Sequence, residues 1–121
     1  MDWNTWLEEV YRGRKYVATL RAITSDMTPS YLMVRFQSGH GKNFINFSSA
    51  EYDEIYKKAE ASMKLEEKAK LYKQAEEVFV KEAGTAFVQD PPITIALNKQ
   101  LKGYKFYPIY VQDMSTVYFE K

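Results

Sequence analysis

The sequence predicts an α+β fold in which helices pack on a small mixed sheet. Two amphipathic stretches, residues 52–63 and 65–83, carry apolar side chains at helical spacing. Segments rich in β-branched and aromatic residues, at residues 16–24 and 85–97, lie before and after them and are typical of strands. The order helix, strand, helices, strands therefore indicates an α+β domain.

The length and charge of the chain exclude several classes of protein. Its 121 residues suffice for one domain with a core and are too few for two. Seventeen Lys and Arg against sixteen Asp and Glu leave a net charge of +1 without a concentrated basic face, so we expect no nucleic-acid partner. Cysteine is absent, which excludes disulfides and thiol chemistry. No apolar run approaches the roughly 20 residues that span a bilayer, and the first residues do not predict a secretion signal.

The first predicted element is a helix that begins at Asp2 and ends at Gly13. Aspartate is a favoured N-cap residue, and glycine commonly ends helices. Apolar side chains at helical spacing predict its buried face: Trp3, Trp6, Leu7, Val10 and Tyr11. Residues 16–24 are a predicted strand that is buried on both faces, because their apolar residues do not alternate cleanly. A short helix is predicted to begin at residue 31 and to reach residue 36.

Two longer helices follow, and Ser48 with Glu51 predicts a capping box that opens the first of them. Its predicted inward face consists of Tyr52, Ile55, Tyr56, Ala59 and Met63. The second helix is predicted at residues 65–83 and is ended by Gly84. Its predicted inward face consists of Leu65, Leu71, Tyr72, Ala75, Val78 and Phe79. The sequence leaves open whether these are two helices or one bent helix.

The last part of the chain is predicted to be extended. Residues 85–89 and 93–97 are predicted strands on either side of a rigid Asp-Pro-Pro bend, and the dipeptide Lys102-Gly103 predicts a turn. The tail that follows presents apolar side chains on both faces: Phe106, Tyr107, Ile109, Tyr110, Val111, Val117, Tyr118 and Phe119. A strand of this kind must be covered, so we expect a homodimer that forms through the C-terminal tail.

Two parts of the chain carry a resemblance to a known family. The first is KYVATLRAITSD at residues 15–26, followed by NFINFSSAEYD at residues 43–53. The second is LYKQAEEVFVKEA at residues 71–83, followed by FVQDP at residues 87–91 and KGY at residues 102–104. Together they resemble the C-terminal portion of the peptide/nickel class of ABC-transporter solute-binding proteins, and the resemblance covers nearly all of the chain.

The resemblance implies a partial C-terminal lobe of a periplasmic-binding-protein-like fold at residues 1–103. It also implies an extended aromatic tail at residues 104–121, which in the family crosses back to the first lobe. The family is extracytoplasmic and captures peptides for an ABC importer, so peptides and the importer's membrane subunits are the implied partners. Its two lobes close around the ligand, and this chain would supply one wall of the cleft. The alternative is a truncated, non-transporting domain that acts as a self-associating structural or interaction module.

Asp26 is the first candidate ligand-binding residue. The resemblance places it where peptide-binding members hold the α-ammonium group of the ligand, and a fixed carboxylate suits that role. Thr24 is a candidate for contacts with an extended peptide, and Ile23 stands where the family motif commonly has tryptophan. A cap of the loop before Pro29 is an equally weighted interpretation of Asp26, because aspartate commonly bonds to its own backbone in turns.

No pattern in the sequence predicts an enzyme. His40 is the one histidine and lies between two glycines, so we expect a solvated loop residue rather than a general base or a metal ligand. The pairs Glu8-Glu9 and Glu66-Glu67 occupy neighbouring helical positions, which do not face one another. We therefore expect no catalytic residue, no metal site and no cofactor.

Overall fold

The structure is a computed structural model that describes residues 1–24, 28–107 and 112–120. Helix α1 (Trp3–Thr5) continues as a π-helical segment (Trp6–Arg12), and α2 (Pro29–Met33) continues as a 3-10 turn (Val34–Phe36). Helices α3 (Ala50–Ala61) and α4 (Leu65–Lys81) follow, and then strands β1 (Leu101–Lys102) and β2 (Tyr118–Phe119). Helices with one small sheet confirm the predicted α+β class. No helix in the described part of the chain is long and apolar enough to cross a membrane.

The chain divides into two compact units. The first, Met1–Ala86, contains the described helices, and the second, Phe87–Lys121, contains β1 and β2. The resemblance implied a different division, between a partial lobe at residues 1–103 and a tail at residues 104–121. That division stays a prediction.

The N-terminal helix begins and ends as its sequence predicts. The Asp2 carboxylate accepts a hydrogen bond from the Thr5 N–H at 3.1 Å and so caps the first turn. At the other end, the Gly13 N–H donates to the Glu8 carbonyl oxygen at 2.8 Å. A Cβ atom on Gly13 would lie 2.8 Å from the carbonyl oxygens of both Glu8 and Glu9, so this close ending requires glycine.

The core of the first unit lies between α3, α4 and the α2 segment. Tyr52 is fully buried, and its hydroxyl donates to the Met33 carbonyl oxygen at 2.7 Å. Phe36 stacks on Phe79 with ring centroids 4.0 Å apart. The buried core consists of Met33, Phe36, Tyr52, Tyr56, Ala59, Tyr72, Ala75, Val78 and Phe79. Helical spacing therefore predicted most of the inward faces of the two long helices.

The cap of α3 is Ser49, so the prediction that Ser48 opens this helix is wrong by one residue. The Ser49 hydroxyl oxygen accepts from the Tyr52 N–H at 3.2 Å, while Ser48 is exposed. The Ser49 hydroxyl also donates to Glu82 Oε1 at 3.0 Å, which joins the start of α3 to the end of α4. A local motif could not distinguish two adjacent serines, because this second contact spans 33 positions in the sequence.

The two long helices are separate, which settles the alternative that the sequence left open. The chain leaves helical geometry at Ser62 and resumes at Leu65. Met63 and Leu65 are 97% and 83% exposed, so their predicted inward positions are wrong. Both lie in or next to the connection, where the helical period that placed them inward is interrupted.

Helix α4 ends two residues earlier than predicted, at Lys81. Ala83 adopts the left-handed conformation with φ of 53°. Its N–H donates to the Val80 carbonyl oxygen and the Gly84 N–H donates to that of Phe79, each at 3.0 Å. This pair of bonds is the Schellman ending. Gly84 is needed for a different reason: a Cβ atom there would lie 2.2 Å from the Phe79 ring.

The predicted strand at residues 16–24 is not a strand in the structure. The segment is irregular, and Val17 and Leu20 are almost fully exposed rather than buried. A strand requires a neighbour that takes up its backbone hydrogen bonds, and no strand within the described residues pairs with this segment.

The sheet of the second unit is two-stranded and antiparallel rather than mixed. Leu101 pairs with Phe119 and Lys102 with Tyr118, and Gly103 turns the chain with φ of 77°. Residues 85–89 and 93–97 were predicted to be strands, and this prediction is wrong. As with residues 16–24, no strand within the described residues pairs with them. No described residue of this unit is buried. In the predicted tail, residues 108–111 and 121 lie outside the described residues.

Candidate functional site

Two of the three predicted ligand-binding residues, Ile23 and Thr24, lie at the end of the irregular segment. Ile23 is half-buried and Thr24 is exposed. Asp26 lies outside the described residues, so its predicted role stays a prediction. Arg21, two residues before Ile23, holds this part of the chain through contacts with three aromatic rings.

The Arg21 guanidinium group is surrounded by three aromatic rings. Its Cζ atom lies 5.0 Å from the ring centroid of Trp6, 5.4 Å from that of Phe44 and 5.6 Å from that of Tyr11. The three rings also contact one another, with centroids 5.5 to 5.9 Å apart. Each contact is within the range of a favourable cation–π interaction. We call these three rings and Arg21 the Arg21 cluster.

The Arg21 cluster connects the N-terminal helix to the loop before α3. Tyr16 donates from its hydroxyl to the Phe44 carbonyl oxygen at 2.6 Å. Arg14 donates from Nη2 to the Asn43 carbonyl oxygen at 2.8 Å and from Nε to Asn46 Oδ1 at 3.2 Å. These three bonds join positions 28 to 32 apart in the sequence. The segment that leads to Ile23 is thus held by side chains instead of by a sheet.

Two cationic groups in this region have buried, unsatisfied hydrogen-bond donors. The Nη1 atoms of Arg14 and Arg21 are both buried and make no hydrogen bond. The salt bridges between described residues involve neither arginine. Sequence analysis missed this arrangement. Its available signal was the charge pattern, because residues 10–50 contain six Lys and Arg and a single acidic residue, Asp26.

Two other polar side chains of the first unit, His40 and Tyr72, make hydrogen bonds within the protein. His40 is half-buried, not fully solvated, and its Nδ1 accepts from the Lys42 N–H at 3.2 Å. Burial and a hydrogen bond to the Glu60 carboxylate raise the pKa of Tyr72 to about 12. No group of three or more potential metal ligands occurs among the residues that the structure describes.

Comparison of the chain with protein-family models, with curated proteins and with solved structures gave no match.

Proposed function

We propose that this chain is part of the second lobe of an extracytoplasmic solute-binding protein that captures peptides for an ABC importer. In this proposal residues 23–26 contribute one wall of the ligand cleft, and Asp26 accepts hydrogen bonds from the α-ammonium group of the peptide. The resemblance of residues 15–53 and 71–104 to the peptide/nickel class motivates the proposal. The large exposed fraction of the aromatic side chains in the second unit is the structural observation that supports it.

That surface is large for a protein of this size. Phe87, Phe106, Tyr118 and Phe119 are 59–70% exposed. Since aromatic residues each bury about 200 Å² when covered, these four expose about 500 Å². Covering them would contribute about 12 kcal/mol at 25 cal/mol per Å² before the costs of association are subtracted. A surface of this kind fits a segment that crosses to another lobe, as the tail does in the family.

A titration with short peptides tests the cleft wall directly. The ¹⁵N-labelled chain is titrated with trialanine and with N-acetyl-trialanine, and backbone amide shifts are followed by NMR. We expect trialanine to shift the signals of Ile23 and Thr24 with a dissociation constant of about 1 mM or weaker, because only one wall of the cleft is present. Acetylation removes the ammonium group and should abolish the shifts.

The matched variants are Asp26→Asn and Asp90→Asn, which remove the same charge from the predicted site and from an exposed position of the second unit. Asp26→Asn should abolish the peptide-dependent shifts, and Asp90→Asn should leave them unchanged. Equal shifts with the acetylated peptide, shifts that persist in Asp26→Asn, or submicromolar binding of trialanine to the monomer would refute the proposal.

The second candidate is a self-associating structural or interaction module. The same exposed aromatic surface favours it, because the four aromatic residues alone supply more than half of the roughly 800 Å² that each partner buries in a standard interface. Native mass spectrometry of the purified chain should then show a homodimer. Phe119→Ser should dissociate it, whereas Val80→Ser, which alters an apolar residue of α4 with a similar exposure of 61%, should not. A wild-type monomer would exclude this function.

A further inference from the structure

We propose that residues 17–23, which have no strand partner within the described part of the chain, form an antiparallel strand pair with the same segment of a second copy. The contact lies within the first unit, so it does not rest on peptide capture by Asp26 or on the aromatic tail. The alternation of its side chains, its unused backbone groups and its fit to a copy of itself support this pairing.

The side chains of this segment alternate as they do in a strand with one covered face. From residue 18 to residue 23, every second side chain is exposed and those between are half-buried. A period of two is typical of an extended chain that lies with one face on the protein. The inward side chains are held in place, because Trp6 Nε1 donates to Thr19 Oγ1 at 3.4 Å and Arg21 lies within its cluster. The segment is therefore docked by one face before any partner arrives.

The backbone of this segment has hydrogen-bonding groups that the protein does not use. No backbone–backbone hydrogen bond between described residues involves residues 17–23. A row of free N–H and C=O groups is a template for another extended chain, because a polypeptide backbone supplies acceptors and donors at the same spacing. Natural edge strands are commonly protected by proline or by charged side chains. This segment contains no proline, and its one charged side chain, Arg21, contacts aromatic rings.

A second copy of the segment fits this edge when the antiparallel pairing is centred on Leu20. In that register the exposed side chains of residues 18–22 lie opposite exposed ones, and the half-buried ones opposite half-buried ones. A register centred on Arg21 would instead place two like charges opposite each other, which is unfavourable. The opposed pairs are Val17 with Ile23, Ala18 with Ala22, Thr19 with Arg21, and Leu20 with itself.

Pairing would cover the two most exposed apolar side chains of the segment. Val17 and Leu20 are 106% and 83% exposed, so neither is covered in the single chain. Two side chains of this size account for much less than the roughly 800 Å² that each partner buries in a standard interface. We therefore expect a weak dimer, with a dissociation constant of about 0.1–1 mM. At low micromolar concentration this contact alone leaves the chain a monomer.

Backbone amide hydrogen exchange tests the pairing in the full-length chain. The ¹⁵N-labelled chain carries Phe119→Ser, which removes the tail contact, and exchange is followed by NMR at about 0.05 mM and about 1 mM. The exchange of residues 17–23 should slow about two- to threefold at the higher concentration, because the paired amides exchange only from the monomer. The slowing should alternate along the segment, since only every second residue of a strand bonds to the neighbour on one side. Sedimentation equilibrium of the same samples gives the dimer fraction.

Charges placed at the centre of the pair test the register. Leu20→Glu brings two carboxylates opposite each other and Leu20→Lys two ammonium groups, so each variant alone should stay monomeric at about 1 mM. An equal mixture of the two should restore the dimer and the slowed exchange, because opposite charges then meet. Leu65→Glu is the matched control: Leu65 is also 83% exposed but lies at the start of α4, so the dimer fraction should not change.

The proposal is overturned if exchange in residues 17–23 does not slow with concentration, or slows equally at every residue. It is also overturned if Leu65→Glu dissociates the dimer as fully as Leu20→Glu, or if the mixture of Leu20→Glu and Leu20→Lys stays monomeric. Circular dichroism of each variant separates loss of the contact from loss of the fold. The trialanine titration depends on Asp26, and the tail contact is measured with Phe119 present, so the failure of each proposal is distinguishable from that of the others.

Discussion

Replacing Ser49 with alanine tests how the start of α3 is joined to the end of α4. The Ser49 hydroxyl accepts from the Tyr52 N–H at 3.2 Å and donates to Glu82 Oε1 at 3.0 Å. Loss of an N-cap serine typically costs about 1 kcal/mol. The lost hydrogen bond to a carboxylate adds about 1–2 kcal/mol, because Ser49 is buried and its contact is only partly open to water. We therefore expect Ser49→Ala to lower the free energy of unfolding by about 2–3 kcal/mol.

The control is its neighbour, which the local sequence favours equally as a cap. Ser48 is exposed, so Ser48→Ala should change the free energy of unfolding by no more than about 0.5 kcal/mol. Urea titrations followed by far-ultraviolet circular dichroism measure both. With an m-value of about 1–1.5 kcal/mol per M, Ser49→Ala should lower the urea midpoint by about 1.3–3 M. A loss for Ser48→Ala that equals or exceeds that for Ser49→Ala would refute the reasoning.

Three further variants or conditions test the end of α4 and the buried tyrosines. Gly84→Ala places a methyl group 2.2 Å from the Phe79 ring and should cost about 1–3 kcal/mol in the same urea assay. Ala83 has a φ of 53°, which glycine adopts without strain, so Ala83→Gly should raise the free energy of unfolding by about 0.5–1 kcal/mol. A lower urea midpoint for this variant would contradict the left-handed ending. The pKa of Tyr72 is raised to about 12, so its contribution to stability is complete below pH 10 and is lost as the pH rises from 10 to 12. Urea midpoints should fall across that range, and the fall should be smaller in Tyr72→Phe; an equal fall would show that Tyr72 is not responsible.

The elements that the sequence predicted well are those whose signals are local. The Asp2 cap, the Gly13 ending and the inward faces of α3 and α4 depend on residues within about one or two helical turns of each other. Their hydrogen bonds and contacts therefore follow from spacing alone. The errors at Met63 and Leu65 occur where that spacing is interrupted between the two helices.

The predicted strands failed because a strand is not a local structure. Residues 16–24 and 85–97 have the composition of strands, yet pairing depends on a partner that composition does not supply. The Arg21 cluster was missed for a related reason. Trp6, Arg21 and Phe44 are far apart in the sequence, and only the folded chain brings the three side chains together. The charge pattern of residues 10–50 hinted at unpaired cations without indicating where they meet.

The two units differ in what can stabilise them. The first has a contiguous core built around Tyr52 and Phe79, whereas no described residue of the second is buried. A two-residue strand pair has little stability without apolar cover, because an isolated hairpin is at best marginally stable in water. Order in the second unit must therefore depend on whatever covers its aromatic side chains. A neighbouring lobe and a second copy of the chain both satisfy that requirement, so a monomer in solution would exclude the self-associating module, whereas a dimer is compatible with both functions.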